Sequence, residues 1–125
     1  MLGTRDATAT IAVRDIERAR SFYEETLGLT PVPSGEPDAL IFRSGSSTIL
    51  VYESRYAGSN QATALTWVVG GDLEKEVAAL KAKGVVFGRY DLPGTTREGD
   101  VHVSNGTRAA WFTDADGNIL ALVSR

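Results

Sequence analysis

Apolar and polar residues follow two patterns along this chain, one typical of strands and the other typical of helices. Thr8–Val13 and Ala64–Val69 are rich in β-branched residues and predict strands. The order of a strand followed by a helix occurs twice, which indicates an internal repeat. The apolar residues at helical spacing are Ile16, Ala19, Phe22, Tyr23 and Leu27 in the first copy and Leu73, Val77 and Leu80 in the second.

The residues at the ends of both helices fit the same interpretation. Asp15 and Asp72 precede the helices, where a carboxylate accepts hydrogen bonds from the free amides of the first turn. Gly28 and Gly84 follow the helices, where glycine suits the left-handed conformation that ends many of them. We interpret all four residues as structural.

Three further strands are predicted after each helix, so that each half is a βαβββ module. A long polar loop is predicted from Asp91 to Gly106, and the turn 114–118 joins the last two strands. Module one covers about residues 7–53 and module two about residues 62–125 of a single domain, with a linker at 54–61. The predicted strands are Thr30–Ser34, Ala39–Arg43 and Ser47–Glu53, then Val85–Tyr90, Ala109–Thr113 and Ile119–Ser124.

Composition narrows the class of protein. The 125 residues are 42% hydrophobic and 23% charged, as in one globular domain. No apolar run is long enough to span a bilayer, and the first residues lack a secretory leader, so we expect a cytoplasmic protein without membrane contact. A net charge of −3 with scattered basic residues argues against nucleic acid as a partner. Without cysteine, thiol nucleophiles and thiolate metal sites are excluded.

Two motifs resemble those of the vicinal oxygen chelate superfamily, which includes glyoxalases, bleomycin-resistance proteins and extradiol dioxygenases. Residues 13–29, VRDIERARSFYEETLGL, are similar to the family signature V-x-D-hydrophobic-x-x-(A/S)-x-x-F-Y-x-x-x-L-G-hydrophobic. Residues 112–119, FTDADGNI, are similar to its F-x-D-P-D-G-N-hydrophobic hairpin, with Ala115 in place of proline. The resemblance implies an α+β fold in which the two βαβββ modules form an open, barrel-like cup, and it implies a homodimer.

Metal-dependent members of this family hold one divalent ion with four side chains, typically His and Glu, from symmetric positions in the two modules. The corresponding positions are Thr8, the window Ala64–Thr66, Ala121 and a place near Val51, two residues before Glu53. Three of the four offer no carboxylate or imidazole, and a single carboxylate binds a metal weakly. We therefore predict no metal site and no other cofactor.

Strand alternation and the resemblance together give candidate ligand-binding residues. If Thr8 points into the cup then Thr10 does too, while Ile11 and Val13 face the helix. Aromatic side chains with polar tips suit flat organic ligands, although each of them fits the core or a dimer contact as well. Those in or beside predicted strands are Tyr52, Tyr56, Trp67, Tyr90 and Trp111. The candidate residues are Thr8, Thr10, Tyr52, Glu53, Tyr56, Trp67, Trp111 and Ala121.

Two functions remain open. One is the binding of a small, partly aromatic organic molecule or antibiotic without a metal, which the lack of donors at the ligand positions favours. The other is an enzyme, either a metal-dependent lyase, isomerase or dioxygenase of the family or a metal-free catalyst. Glu53 and His102 are weak catalytic candidates. For His102, in the predicted loop, we favour a solvated loop histidine, because a general base needs an orienting partner that the sequence does not reveal.

Overall fold

The computed structural model describes residues 1–124 of the chain. The chain divides into two compact units, Met1–Ser59 and Asn60–Arg125, and each unit contains one β-sheet. Within the described part of the chain, no helix is both long and apolar enough to cross a membrane.

The first unit is built from four strands and one helix. The strand order is β1-β4-β3-β2, in which β1 and β4 are parallel and the other neighbours are antiparallel. The elements are a short 3-10 turn (Leu2–Thr4), β1 (Ala9–Val13), helix α1 (Ile16–Arg20) with a π-helical continuation (Ser21–Thr26), β2 (Thr30–Val32), β3 (Ala39–Ser44) and β4 (Ser47–Glu53).

The core of the first unit lies between its sheet and its helix. Tyr23 of the π-helical segment is fully buried and stacks on Phe42, with ring centroids 6.0 Å apart. Thr10 is exposed on the other face of β1, which confirms that Ile11 and Val13 face the core. The buried strand residues are Ile11, Val13, Leu40, Phe42, Ile49 and Val51.

The second unit repeats this plan and adds a hairpin. The strand order is β5-β10-β9-β6, which corresponds to β1-β4-β3-β2 of the first unit. Next to β6, β8 also pairs with β9, and β7 pairs with β8. The tandem βαβββ fold predicted from the sequence is therefore present. The elements are β5 (Thr63–Val68), a 3-10 turn (Gly70–Asp72), helix α2 (Leu73–Ala82), β6 (Phe87–Gly88), β7 (Thr96–Glu98), β8 (Val101–Ser104), β9 (Thr107–Thr113) and β10 (Ile119–Val123).

The predicted loop from Asp91 to Gly106 was wrong, because this segment contains the antiparallel hairpin of β7 and β8. The strand predicted at Val85–Tyr90 is reduced to two paired residues, Phe87 and Gly88. Beyond Gly88 the chain leaves β9, and β8 takes over the pairing with that strand.

The helix ends follow the predictions in three of four places. The Asp15 carboxylate accepts hydrogen bonds from the amides of Glu17 and Arg18, at 3.0 and 3.2 Å. Gly28 and Gly84 have φ of 75° and 92°, in the left-handed region. Asp72 makes no capping hydrogen bond, since it belongs to the 3-10 turn that leads into α2.

Candidate functional site

The sheet of the second unit presents two different faces. Side chains directly opposite each other on neighbouring strands share a face. Phe112 and its partner Leu120 are buried on the face that α2 covers. Trp111 and its partner Ala121 lie on the opposite face, which we call the away face.

Three rings gather on the away face, and we call Tyr90, His102 and Trp111 the aromatic cluster. His102 is opposite Ala109 and therefore on the same face as Trp111. The His102 and Trp111 rings meet edge to face, with centroids 4.9 Å apart. The Tyr90 ring lies 5.7 Å from His102 and 5.8 Å from Trp111. Such pairs contribute about 0.5–1.5 kcal/mol each beyond the area they bury.

His102 is buried, so the interpretation as a solvated loop histidine was wrong. The residue is 2% exposed and lies in β8 between Val101 and Val103. Its Nε2 accepts a 2.9 Å hydrogen bond from the backbone N–H of Tyr90. Because Nε2 accepts, the neutral ring carries its proton on Nδ1.

The Nδ1–H of His102 is a buried donor without an acceptor. Nδ1 is shielded from solvent and makes no hydrogen bond with any of residues 1–124. An unpaired buried donor costs about 1–3 kcal/mol, and such groups are rare in native proteins. One nitrogen of the imidazole thus fixes the ring in place while the other has no partner.

Trp111 is held across the sheet by its indole nitrogen. Nε1–H donates a 3.1 Å hydrogen bond to Oγ1 of Thr63. Because β10 lies between β9 and β5, the indole must extend across β10 to reach Thr63. Ala121, the position that the family resemblance assigns to the last-strand metal ligand, is the direct partner of Trp111 on the neighbouring strand and is 2% exposed.

Tyr90 lies directly over Gly88. A Cβ on Gly88 would be 2.5 Å from the Tyr90 hydroxyl oxygen and 2.7 Å from Cζ. Any other residue at position 88 would therefore displace the phenol ring. Tyr90 is 39% exposed and therefore lies at the boundary between the aromatic cluster and solvent.

The residues at the family's metal positions do not fit a divalent cation. Thr66 is the direct partner of Ala121, and neither carries a carboxylate or an imidazole. In the first unit Thr8 is exposed, while Val51 is fully buried on the face that α1 covers. Among residues 1–124, no group of three or more His, Asp or Glu side chains is arranged to hold a metal ion.

The remaining candidates of the first unit lie at its surface. Thr10 is exposed in β1, and Tyr52, opposite Ala12, is 40% exposed. Glu53 is opposite Val13 at the end of β4 and is exposed. Tyr56, after β4, is 66% exposed, and the guanidinium of the neighbouring Arg55 lies over its ring.

Trp67 differs from Trp111 in its surroundings. Its ring stacks on Phe112 with centroids 6.4 Å apart, and it therefore lies on the face that α2 covers. The two tryptophans of the chain thus report on opposite faces of one sheet, a difference that is useful for spectroscopy.

A cavity of about 360 Å³ lies in the first unit beside the edge strand β2. Val32, Ile41 and Phe42 form part of its wall, and Arg20 lies at its rim. Arg20 is already paired with Glu17 at 3.4 Å. None of the described lining residues has a buried polar side-chain atom without a partner, so the cavity lacks the feature that distinguishes His102.

Ion pairs fasten the hairpin that carries His102 to its surroundings. Asp100 accepts hydrogen bonds from Lys81 of α2 at 2.6 Å and from Arg89 at 3.0 Å. The Lys81 ammonium holds the pKa of Asp100 below its ordinary range, and Arg89 acts in the same direction against partial burial. Arg108 of β9 also pairs with Glu98 of β7 at 2.8 Å.

The chain belongs to the Glyoxalase/Bleomycin resistance protein/Dioxygenase superfamily, whose family model matches residues 6–122. No curated protein has a significantly similar sequence. Similar solved structures include the fosfomycin resistance protein FosX of Listeria monocytogenes in its hexagonal form, with a TM-score of 0.72, 15% identity and coverage of 96% of this chain and 92% of that one. The lactoylglutathione lyase of Agrobacterium tumefaciens has a TM-score of 0.71, 14% identity and the same coverages, 96% and 92%. An integron cassette protein from the Halifax Harbour sewage outfall has a TM-score of 0.71 and 17% identity over 94% of this chain and 96% of that one.

Sequence reasoning identified Trp111 and Tyr90 as aromatic candidates, but it did not predict that His102 lies between them on a strand. The signal for β8 was present, since Val101-His-Val103 alternates in the way that strands do. The contact between Gly88 and Tyr90 leaves no such trace, because it depends on how the chain turns after β6.

Proposed function

We propose that this protein binds a small, flat, partly aromatic organic molecule on the away face of its second unit, without a divalent metal. The observation that carries the proposal is the aromatic cluster, in which His102 is 2% exposed and its Nδ1–H has no acceptor. Clustered rings with a few polar groups are the usual lining of sites for organic ligands.

The cluster is suited to stacking. Trp111 donates a hydrogen bond to Thr63, which favours one orientation of its ring before a ligand arrives. A rigid ring loses little conformational entropy on binding, which increases the share of the contact energy that appears as affinity. Tyr90, at 39% exposure, offers a second ring at the solvent boundary.

The chemistry of the family's metal positions supports binding without a metal. Threonine hydroxyls and an alanine methyl are poor ligands for zinc, nickel, iron or manganese. Antibiotics that contain a flat, partly aromatic ring belong to the ligand class we propose.

Elemental analysis combined with a fluorescence titration tests this proposal. The protein is purified without added metal, and the emission of Trp111 is followed in a Trp67→Phe variant, which leaves Trp111 as the sole tryptophan. In the titration we expect saturable quenching by a flat aromatic compound at one molecule per chain and no quenching by fosfomycin. In the elemental analysis we expect less than about a tenth of an equivalent of metal per chain.

Two controls locate the binding. Trp111→Phe should weaken binding, which calorimetry measures. Arg20→Gln at the cavity of the first unit should leave the binding affinity unchanged. Near-stoichiometric zinc, nickel, iron or manganese that chelation removes, with loss of binding, would contradict the proposal and favour the metal-dependent lyase, isomerase or dioxygenase alternative.

A further inference from the structure

We propose that His102 determines which ring compounds this site accepts, because its Nδ1–H binds an oxygen acceptor attached to the ligand ring. The inference rests on the proposed function and adds the chemical class of the ligand. That class is a planar ring that carries a carbonyl oxygen or an oxyanion at its edge.

The donor character of Nδ1 is fixed by the fold. The Tyr90 backbone N–H donates to Nε2 at 2.9 Å, and two N–H groups cannot face each other at that distance. The proton of the neutral imidazole therefore stays on Nδ1, which cannot accept. A fixed buried donor favours a ligand with an acceptor and disfavours a ligand that presents a C–H or N–H at the same place.

Tyr90 is the most exposed of the three rings in the aromatic cluster, and we assign to it the movement that gives a ligand access to this donor. Its hydroxyl makes no hydrogen bond within residues 1–124, so packing over Gly88 holds the side chain. The Trp111 side chain, in contrast, donates a hydrogen bond to Thr63. Rotation of the Tyr90 side chain would uncover the imidazole while the Tyr90 backbone keeps its hydrogen bond to Nε2. The ligand ring would then take over the contacts that the phenol makes with His102 and Trp111.

A matched pair of probes tests this assignment. 9-Fluorenone and fluorene share one ring skeleton and differ in a carbonyl against a methylene. In the Trp67→Phe background we expect 9-fluorenone to bind roughly tenfold more tightly than fluorene, in line with one hydrogen bond to a buried donor.

Two substitutions separate the two nitrogens of the imidazole. His102→Gln keeps an acceptor for the Tyr90 N–H but places no donor at the Nδ1 position, and should reduce 9-fluorenone binding to the level of fluorene. Fluorene binding should change less than about twofold, because it does not use the donor. His102→Asn, whose amide can occupy the Nδ1 position, should retain part of the preference for 9-fluorenone.

The outcomes distinguish this inference from the proposed function. If neither probe binds, both are overturned. If the two probes bind equally, or if His102→Gln weakens both to the same extent, the role of His102 is overturned while aromatic binding stands. If the variants fail to fold, the Nδ1–H proton resonance of His102 in the unmodified protein tests the inference instead. A downfield shift with 9-fluorenone alone supports the inference, and the same shift with both probes or with neither contradicts it.

Discussion

Replacement of Gly88 by alanine tests whether close packing holds the Tyr90 ring in the aromatic cluster. The new Cβ would lie 2.5 Å from the hydroxyl oxygen of Tyr90, 2.7 Å from Cζ and 2.9 Å from Cε2. Ordinary contact begins near 3.4 Å, so the phenol ring must withdraw by about 1 Å. The φ of Gly88 lies outside the left-handed region, and the backbone itself therefore accepts alanine.

The expected magnitude follows from two opposing effects. Withdrawal weakens the contacts of Tyr90 with His102 and Trp111, each of which contributes about 0.5–1.5 kcal/mol. Alanine stabilises by about 0.4–1 kcal/mol, since it restricts the unfolded chain more than glycine does. We therefore expect Gly88→Ala to lower the free energy of unfolding by roughly 1 kcal/mol, and to raise it by roughly 0.5 kcal/mol when Tyr90 is already alanine.

Urea unfolding of four proteins measures this difference. The proteins are the unmodified chain, Gly88→Ala, Tyr90→Ala and the double variant, and together they form a double-mutant cycle. We predict a coupling free energy of roughly 1–2 kcal/mol between the two positions. A coupling below about 0.5 kcal/mol, within the range of independent sites, would refute the packing of Tyr90 on Gly88.

Three further predictions concern stability, pH and metals. Asp114, 6% exposed, accepts hydrogen bonds from two backbone amides and from the side chain of Asn118, so Asp114→Ala should lower the free energy of unfolding by about 3 kcal/mol, and a loss below about 1 kcal/mol would argue against this network. Lys81 and Arg89 lower the pKa of Asp100, so their stabilisation is complete above the ordinary aspartate value of about 3.9 and is lost as the pH falls below it. Urea unfolding should show a difference in the free energy of unfolding of about 0.5–1 kcal/mol between the unmodified chain and Asp100→Asn at neutral pH, and a smaller difference below about pH 4. A difference that does not change with pH would contradict the ion pairs. Dialysis against a chelator should leave the affinity for 9-fluorenone within about twofold, whereas a loss restored by a divalent cation would contradict metal-free binding.

Local patterns in the sequence were sufficient for most of the fold. Alternation placed Ile11 and Val13 on the face that α1 covers, and Asp15 and Gly28 marked the two ends of the first helix. These features depend on residues that are close in sequence, so the pattern carries the information. The two βαβββ modules then followed from their repetition.

The features missed from the sequence depend on distant contacts or on one strand's register. Polar residues dominate 91–106 and concealed β8, whose partner β9 supplies the pairing that makes it a strand. Val51, near which the sequence placed one of the family's ligand positions, lies on the face that α1 covers. A shift by one residue along a strand moves a position to the opposite face. Leu50 and Tyr52 occupy the other face, a distinction that required the register with β1.

The central claim is that the aromatic cluster binds a flat ring in the absence of a metal. Aromatic ¹H–¹³C spectra of chelator-treated protein, recorded with increasing 9-fluorenone, test it most directly because they identify both the site and the metal requirement. We predict shifts concentrated in the rings of Tyr90, His102 and Trp111, with Phe42 beside the cavity of the first unit unchanged. Shifts centred on Phe42, or shifts that occur only after a divalent cation is added, would contradict the claim.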